Sequence, residues 1–283
     1  MLNMVPQPTI AVPEFSVGIF DAVSSSEYHR REPGVASKSA LDLLHQSPAH
    51  YYAWLRGEMS EETHALIFGS AFHCALLEPE RFARAYITTP NFGDCRLKEN
   101  KADRDRWRMA NAGKIELTEA DMTAIKGMIK SIGEHRLGRL MIRDGKAEVT
   151  ARWVDEETGI KCKCRADYFV PGLGMLLDAK STLDASPEAF AKSCANYGYH
   201  RQDAFYRAGF RAAGADIQHF VFLAVEKAPP YAVAIYELDE AAITKGHNSI
   251  RRDLSTFSEC LKANRFPGYA DMISKLSLPR WAT

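Results

Sequence analysis

The 283-residue chain has no net charge, because 36 Lys and Arg are matched by 36 Asp and Glu. A neutral chain exerts no global pull on nucleic acid or a membrane surface, so a polyanionic partner has to be held by a local basic cluster. There is also no Cys-x-x-Cys pair: Cys74, Cys95, Cys162, Cys164, Cys194 and Cys260 are scattered. Their spacing offers no disulfide framework, and a chain of this size buries enough core without one, so the expectation is reduced thiols in a cytoplasmic protein. No apolar stretch reaches about 18 residues, and the opening MLNMVPQPTIAVPEF lacks a basic segment followed by an apolar one. Neither export nor a membrane span is expected. Internal repeats, helix-turn-helix units, fingers and basic zippers are absent, which argues against base-specific recognition. What remains is ordinary globular composition, 46% hydrophobic and 25% charged, enough for one large domain or two small ones.

Residues 1–36 are rich in Pro, Ser and Gly and read as an extended arm that packs on the domain or on a neighbouring subunit. Ser37 is a candidate N-cap for a helix with Leu41 and Leu44 on its apolar face, and Pro48 marks a break or a new first turn. A second helix is expected over 61–77, thinned by Gly69, Ala71 and Ala75 so that a neighbour can approach; His73 lies on it. The stretch 94–146 holds 13 Lys and Arg against 9 Asp and Glu. Its polar part, 96–114, reads either as a loop touching phosphates or as a solvated face. Its second part reads as a helix capped by Thr118, with Met122, Ile125, Ile129 and Ile132 on one side.

From Glu148 the period changes to two. Val149, Ala151 and Trp153 share one face, a turn covers 155–159, and Ile160, Cys162, Cys164 and Ala166 alternate with Lys161, Lys163, Arg165 and Asp167. This predicts a hairpin with one wet face. A Pro-Gly turn leads into a third strand, MLLDAKS, then helical spacing over 188–213, strands at 218–226 and 231–238, and a closing helix over 239–264. The order predicts a helix-flanked central sheet, an α/β fold of the α+β kind.

Asp178 and Lys180, one residue apart on a strand, share a face. Asp167 lies eleven residues earlier on the preceding strand, so an antiparallel turn brings the two carboxylates close. Two readings stay open on these residues: a strand-pair salt bridge, or a site for a hard divalent cation that activates water beside a lysine. Gln202 and Tyr206, at i and i+4, share one face of the next helix and either orient a carboxylate or phosphate or belong to the core. Glu148 is either a further acid near the same place or a surface residue. A zinc reading of Cys162-x-Cys164 with His200 is weaker than burial, because both thiols point to one apolar face.

Together, Arg165-Ala166-Asp167, Asp178-Ala179-Lys180 and Gln202-x-x-x-Tyr206 resemble the PD-(D/E)XK nuclease superfamily, and within it the RecE-type exonucleases and their phage relatives. The segments 69–79, with His73, 37–54, and 267–282 resemble that family's glycine-to-histidine helix, opening helix and closing tail. Ala166 stands where the superfamily's name has Pro, and Asp178 where Glu is common; neither change removes a ligand. The resemblance implies a restriction-endonuclease-like core with a central mixed sheet, spanning 37–283 as one domain after the arm. It implies a Mg²⁺-dependent 5′→3′ exodeoxyribonuclease on linear double-stranded DNA ends that leaves 3′ tails. In that reading His73, Asp167 and Asp178 ligand the metal, the Ala179 carbonyl adds a ligand, Lys180 is catalytic, and Gln202 and Tyr206 support the site. An imidazole ligand suits Mn²⁺, which should substitute. The resemblance further implies a RecT-like single-strand annealing partner, a ring-shaped trimer or tetramer, and action in the cytoplasm of a bacterial host in phage or prophage recombination. A structure-specific endonuclease and a DNA-binding module with an inert site are the alternatives.

Overall fold

The structure is a computed structural model and describes residues 15–21, 23–59 and 63–278. Parts of the arm (1–14), the expected start of the second helix (61–62) and the end of the closing tail (279–282) lie outside the described residues. The chain begins with β1 (Gly18–Phe20), α1 (Ser25–Tyr28) and β2 (Val35–Ala36). Ser37 caps α2 (Lys38–Gln46) by accepting the Ala40 N–H at 3.2 Å. Pro48 opens a new helix, α3 (Pro48–Leu55), where its missing N–H has no partner to lose. Then come α4 (His64–Leu77), α5 (Pro79–Ala85), β3 (Tyr86–Thr88), α6 (Lys98–Ala110), β4 (Ile115–Leu117), α7 (Glu119–Glu134) and α8 (Arg136–Met141). The second half runs β5 (Lys146–Val154), β6 (Lys161–Val170), β7 (Met175–Thr182), α9 (Pro187–Asn196), α10 (Tyr199–Ala212), β8 (His219–Glu226), β9 (Val233–Tyr236) and α11 (Glu240–Ala263). No helix among the described residues is long and apolar enough to cross a membrane.

The main sheet has the order β1-β5-β6-β7-β8-β9, with β2 added beside β6. It is mixed: β7 and β8 are parallel, as are β2 and β6, and the other neighbours are antiparallel. Helices cover both faces, so the central strands are apolar on both sides. On β8, Phe220, Phe222 and Ala224 join one core with Leu41, Tyr51, Trp153, Phe205 and Phe257. Val221, Leu223 and Val225 join a second core with Phe72, Ile125, Met128 and Ile132.

Two expectations change and one open pair is decided. The polar piece 96–114 carries α6, a helix with no buried residue, so the solvated face holds and the loop does not; its arginines pair with acids, Arg104 with Asp105, Arg106 with Asp103 and Arg108 with Glu116. The expected wet face of the hairpin is covered: Lys163 and Arg165 are 5% and 7% exposed. The segment before β2 does this, since Lys163 Nζ reaches Glu32 at 2.6 Å, Arg165 donates to the Val23 carbonyl at 2.8 Å, and the Tyr28 ring lies 4.1 Å from the Arg165 guanidinium. Alternating charge on a strand means a solvated face only when no other chain segment supplies partners. Gly69 faces open space, so of the three small residues only Ala71 and Ala75 lie on the packed face of α4, beside the buried Phe68, Phe72 and Cys74.

Candidate active site

The site forms where the main sheet forks. β6 and β7 are paired only from Tyr168↔Leu177 to Val170↔Met175, and β2 occupies the same edge of β6 at Lys161–Cys162. Just past the last pair, the Ala179 N–H donates to Asp167 Oδ2 at 2.8 Å and ties the two strands at the fork. Strand alternation then sends the side chains to opposite faces. Leu176 belongs to the α10 side of the sheet and Leu177 and Ala179 to the α4 side, which puts Asp178 and Lys180 toward α10. Ala166 belongs to the α10 side, which puts Asp167 toward α4.

Each face supplies its own partners. His73, on α4, has Nδ1 3.3 Å from Asp167 Oδ2. On the other face Lys180 Nζ lies 2.6 Å from Asp178 Oδ2, and Gln202, on α10, bridges the pair: its Nε2 donates to Asp178 Oδ1 and its Oε1 accepts from Lys180 Nζ at 3.2 Å. The Tyr199 ring lies 4.6 Å from the same ammonium. Tyr206, one turn beyond Gln202, touches neither carboxylate through a hydrogen bond; it shares one with Tyr28 and stands at the rim common to two clefts. One cleft, about 1700 Å³, is lined by Lys180, Gln202, Lys38 and Lys245. The other, about 590 Å³, is lined by Asp167, His73, Glu148 and Arg165.

Burial disfavours charge throughout, and the neighbours decide the outcome. Against that burial the Asp167 carboxylate raises the His73 imidazole to about 9. Burial likewise opposes ionisation of Asp167, but the His73 charge and hydrogen bond hold its carboxyl below the ordinary value. Burial pushes the Asp178 carboxyl up by more than Lys180 draws it down, and Asp167 adds to the rise. Lys180 stays above its ordinary value despite burial because the Asp178 carboxylate beside it and the Asp167 charge across the fork both favour the ammonium.

Glu148 is drawn into the same place. It sits between the register pairs Ala147↔Tyr168 and Val149↔Ala166, opposite Asp167, and holds φ +54°. A non-glycine residue in that region is strained by roughly 1–3 kcal/mol, and such strain collects beside functional sites. Its Oε2 lies 3.4 Å from Arg165 Nη1, and burial followed by the Asp167 charge raises its pKa. Nothing in the local sequence announces this bend, because no Gly or Asn stands there.

The six residues singled out in the sequence therefore all lie at the fork or its rim, but on two faces. Among the described residues no three His, Cys, Asp or Glu side chains converge tightly enough to hold an ion as they stand. The donor chemistry nonetheless suits a hard divalent cation: two carboxylates and one imidazole border the fork, and the buried Asp178 Oδ2 accepts no aligned hydrogen bond despite its contact with Lys180. Cys162 and Cys164 are fully buried in the core, and His200 Nδ1 lies 3.2 Å from the Cys194 carbonyl.

A PDDEXK-like domain of unknown function (DUF3799) matches residues 37–278. Among solved structures, a candidate exonuclease from Eubacterium rectale is 16% identical, with 89% of this chain and 96% of that chain covered and a TM-score of 0.56. A phage related exonuclease from Haemophilus somnus 129PT is 13% identical, with 61% and 92% covered and a TM-score of 0.31. No curated protein matches the chain. The first of these structures supports the fold alone. The match over 37–278 takes in His73, Asp167, Asp178, Lys180, Gln202 and Tyr206, and the chain belongs to this PDDEXK-like family.

Proposed function

We propose that the protein is a divalent-metal-dependent exodeoxyribonuclease that works from the ends of linear double-stranded DNA. One observation carries the reading: the buried Asp178 carboxylate, the half-buried Asp167 carboxylate and the half-buried Lys180 ammonium meet at a fork in the sheet that opens on two clefts. His73, Asp167 and Asp178 are the residues to hold a hard cation, Mg²⁺ or Mn²⁺. Such an ion, when bound, polarises a phosphoryl oxygen and lowers the pKa of water.

The rest falls to the chain itself. Gln202 fixes the Asp178 carboxylate and the Lys180 ammonium relative to each other from α10. Lys180, kept charged by its two carboxylates, faces the larger cleft and is positioned to stabilise negative charge developing on a phosphate. His73 has to give up its proton to serve as a ligand, so cation binding and proton release are linked. The finer parts of the proposal follow the resemblance to RecE-type enzymes: 5′→3′ digestion, 3′ tails passed to a RecT-like single-strand annealing protein, and a ring of three or four copies around the duplex.

Linear duplex labelled at the 5′ or the 3′ end, and closed circular duplex, are incubated with Mg²⁺, Mn²⁺ or EDTA. Loss of the linear DNA alone, only with metal and with the 5′ label released first, is the expected result. Cutting of the closed circle would make the protein an endonuclease, and binding without cutting in either metal would leave a DNA-binding module.

A further inference from the structure

Beside Lys180 the larger cleft carries a feature that the hydrolytic reading does not use. The run of helix between β7 and β8 breaks at Tyr197, where Gly198 at φ +65° separates α9 from α10. The break lifts the Tyr197 ring into solvent, 64% exposed at the lip of the cleft. The ring is not isolated. It stacks on Tyr199 with centroids 5.8 Å apart and planes 29° apart, and Tyr199 stacks on the fully buried Phe222 at 5.7 Å and 27°. Three rings thus run from the β8 core to the surface, and the outermost has no aromatic neighbour beyond Tyr199 among the described residues. The Tyr197 carbonyl also accepts from Lys38 Nζ at 2.9 Å, which steadies the break. Across the cleft, Lys245 and Arg252 lie seven residues apart on α11, hence on one helix face, and both are exposed.

We propose that Tyr197, backed by Tyr199, is a stacking platform for an unpaired nucleobase, with Lys245 and Arg252 taking the neighbouring phosphates. A base plane is the ligand that matches a rigid, exposed ring bordered by cations, because every base has a π-face and stacking needs no sequence. A paired base inside a duplex has no free face to give, so the strand in this cleft is single-stranded where it passes Lys180. The platform deepens the nuclease reading by naming the form of its substrate, and it rests on that reading for its purpose, although stacking itself needs no metal.

The test is a binding comparison in EDTA, where no cutting interferes. Two oligomers of about 12 nucleotides, within the usual site size, are used: oligo-dT, and the wholly abasic deoxyribose-phosphate chain of the same length and charge. Wild type should prefer oligo-dT, and Tyr197→Ala should weaken oligo-dT by about 5- to 150-fold while leaving the abasic chain within about twofold. Tyr197→Phe should behave as wild type, which separates stacking from a hydroxyl contact. Equal binding of both oligomers by wild type, or Tyr197→Ala and wild type binding oligo-dT alike, would overturn the platform, as would Tyr197→Phe losing as much as Tyr197→Ala. Cutting assays on the same preparations keep the two ideas apart: preference without cutting retains the platform and rejects the nuclease, and cutting without preference does the reverse.

Discussion

One amide, that of Gln202, holds both Asp178 and Lys180, which makes it the residue through which the proposed chemistry of the fork would be tuned. Gln202→Leu keeps the volume and removes both contacts. Single-turnover cutting should then fall about 10- to 100-fold, as for other residues that orient ligands, while affinity for DNA in EDTA stays within about twofold. A parallel fall in affinity would make Gln202 part of the DNA-binding surface instead. The next residue of α10, Asp203, is fully buried beside Arg207, and burial outweighs that partner to raise its carboxyl to about 6. A raised acid binds its proton more tightly when folded, so its contribution to stability is present below the unfolded value near 3.8 and lost as pH rises to about 6. Urea midpoints should show wild type gaining on Asp203→Asn between pH 7 and pH 4, by up to about 3 kcal/mol. A constant difference across that range would show that Asp203 titrates normally.

Between elements, what governs the site is how closely α11 can lie on α10. A Cβ at Gly246 would stand 2.0 Å from the His200 carbonyl oxygen, so only glycine allows the crossing that sets α10 over β7. Gly246→Ala should destabilise by about 1–3 kcal/mol in urea unfolding. Gly133→Ala, in α7 with open space around it, should be neutral or up to about 1 kcal/mol stabilising. Equal midpoints for the two variants would contradict this packing. The elements themselves were largely legible: Ser37 and Thr118 cap their helices, and the period-2 runs became β5 to β8. On α7 the expected stripe holds, with Ile125 and Ile132 buried and Met122 and Ile129 half-buried against the same core, and Asp121 and Met128 are buried beside it. Pattern could not show that the segment before β2 covers Lys163 and Arg165, since that contact joins residues some 130 apart and depends on the fold being complete. Nor could it show that Asp167 and Asp178 come to the fork from opposite faces, because strand spacing fixes a face only once the pairing register is known.

At the scale of the molecule, zero net charge gives no global pull on DNA, so the proposed binding falls to local cations such as Lys245 and Arg252 along one cleft. Binding should weaken steeply with salt, and Lys245→Ala with Arg252→Ala should flatten the log–log slope by about 1.4 to 1.8, the loss of two phosphate contacts. An unchanged slope would place the DNA elsewhere. The central claim, that the fork between β6 and β7 is a metal-dependent site for cutting DNA, is tested most directly by one comparison. Wild type, Asp178→Asn and Lys180→Met are mixed in excess with end-labelled linear duplex, and cutting is followed with Mg²⁺ and with EDTA beside binding in EDTA. Wild type should cut only with metal, and both variants should bind as wild type yet cut at least about a hundredfold more slowly. Variants that cut at the wild-type rate, or wild-type cutting that persists in EDTA, would contradict the account.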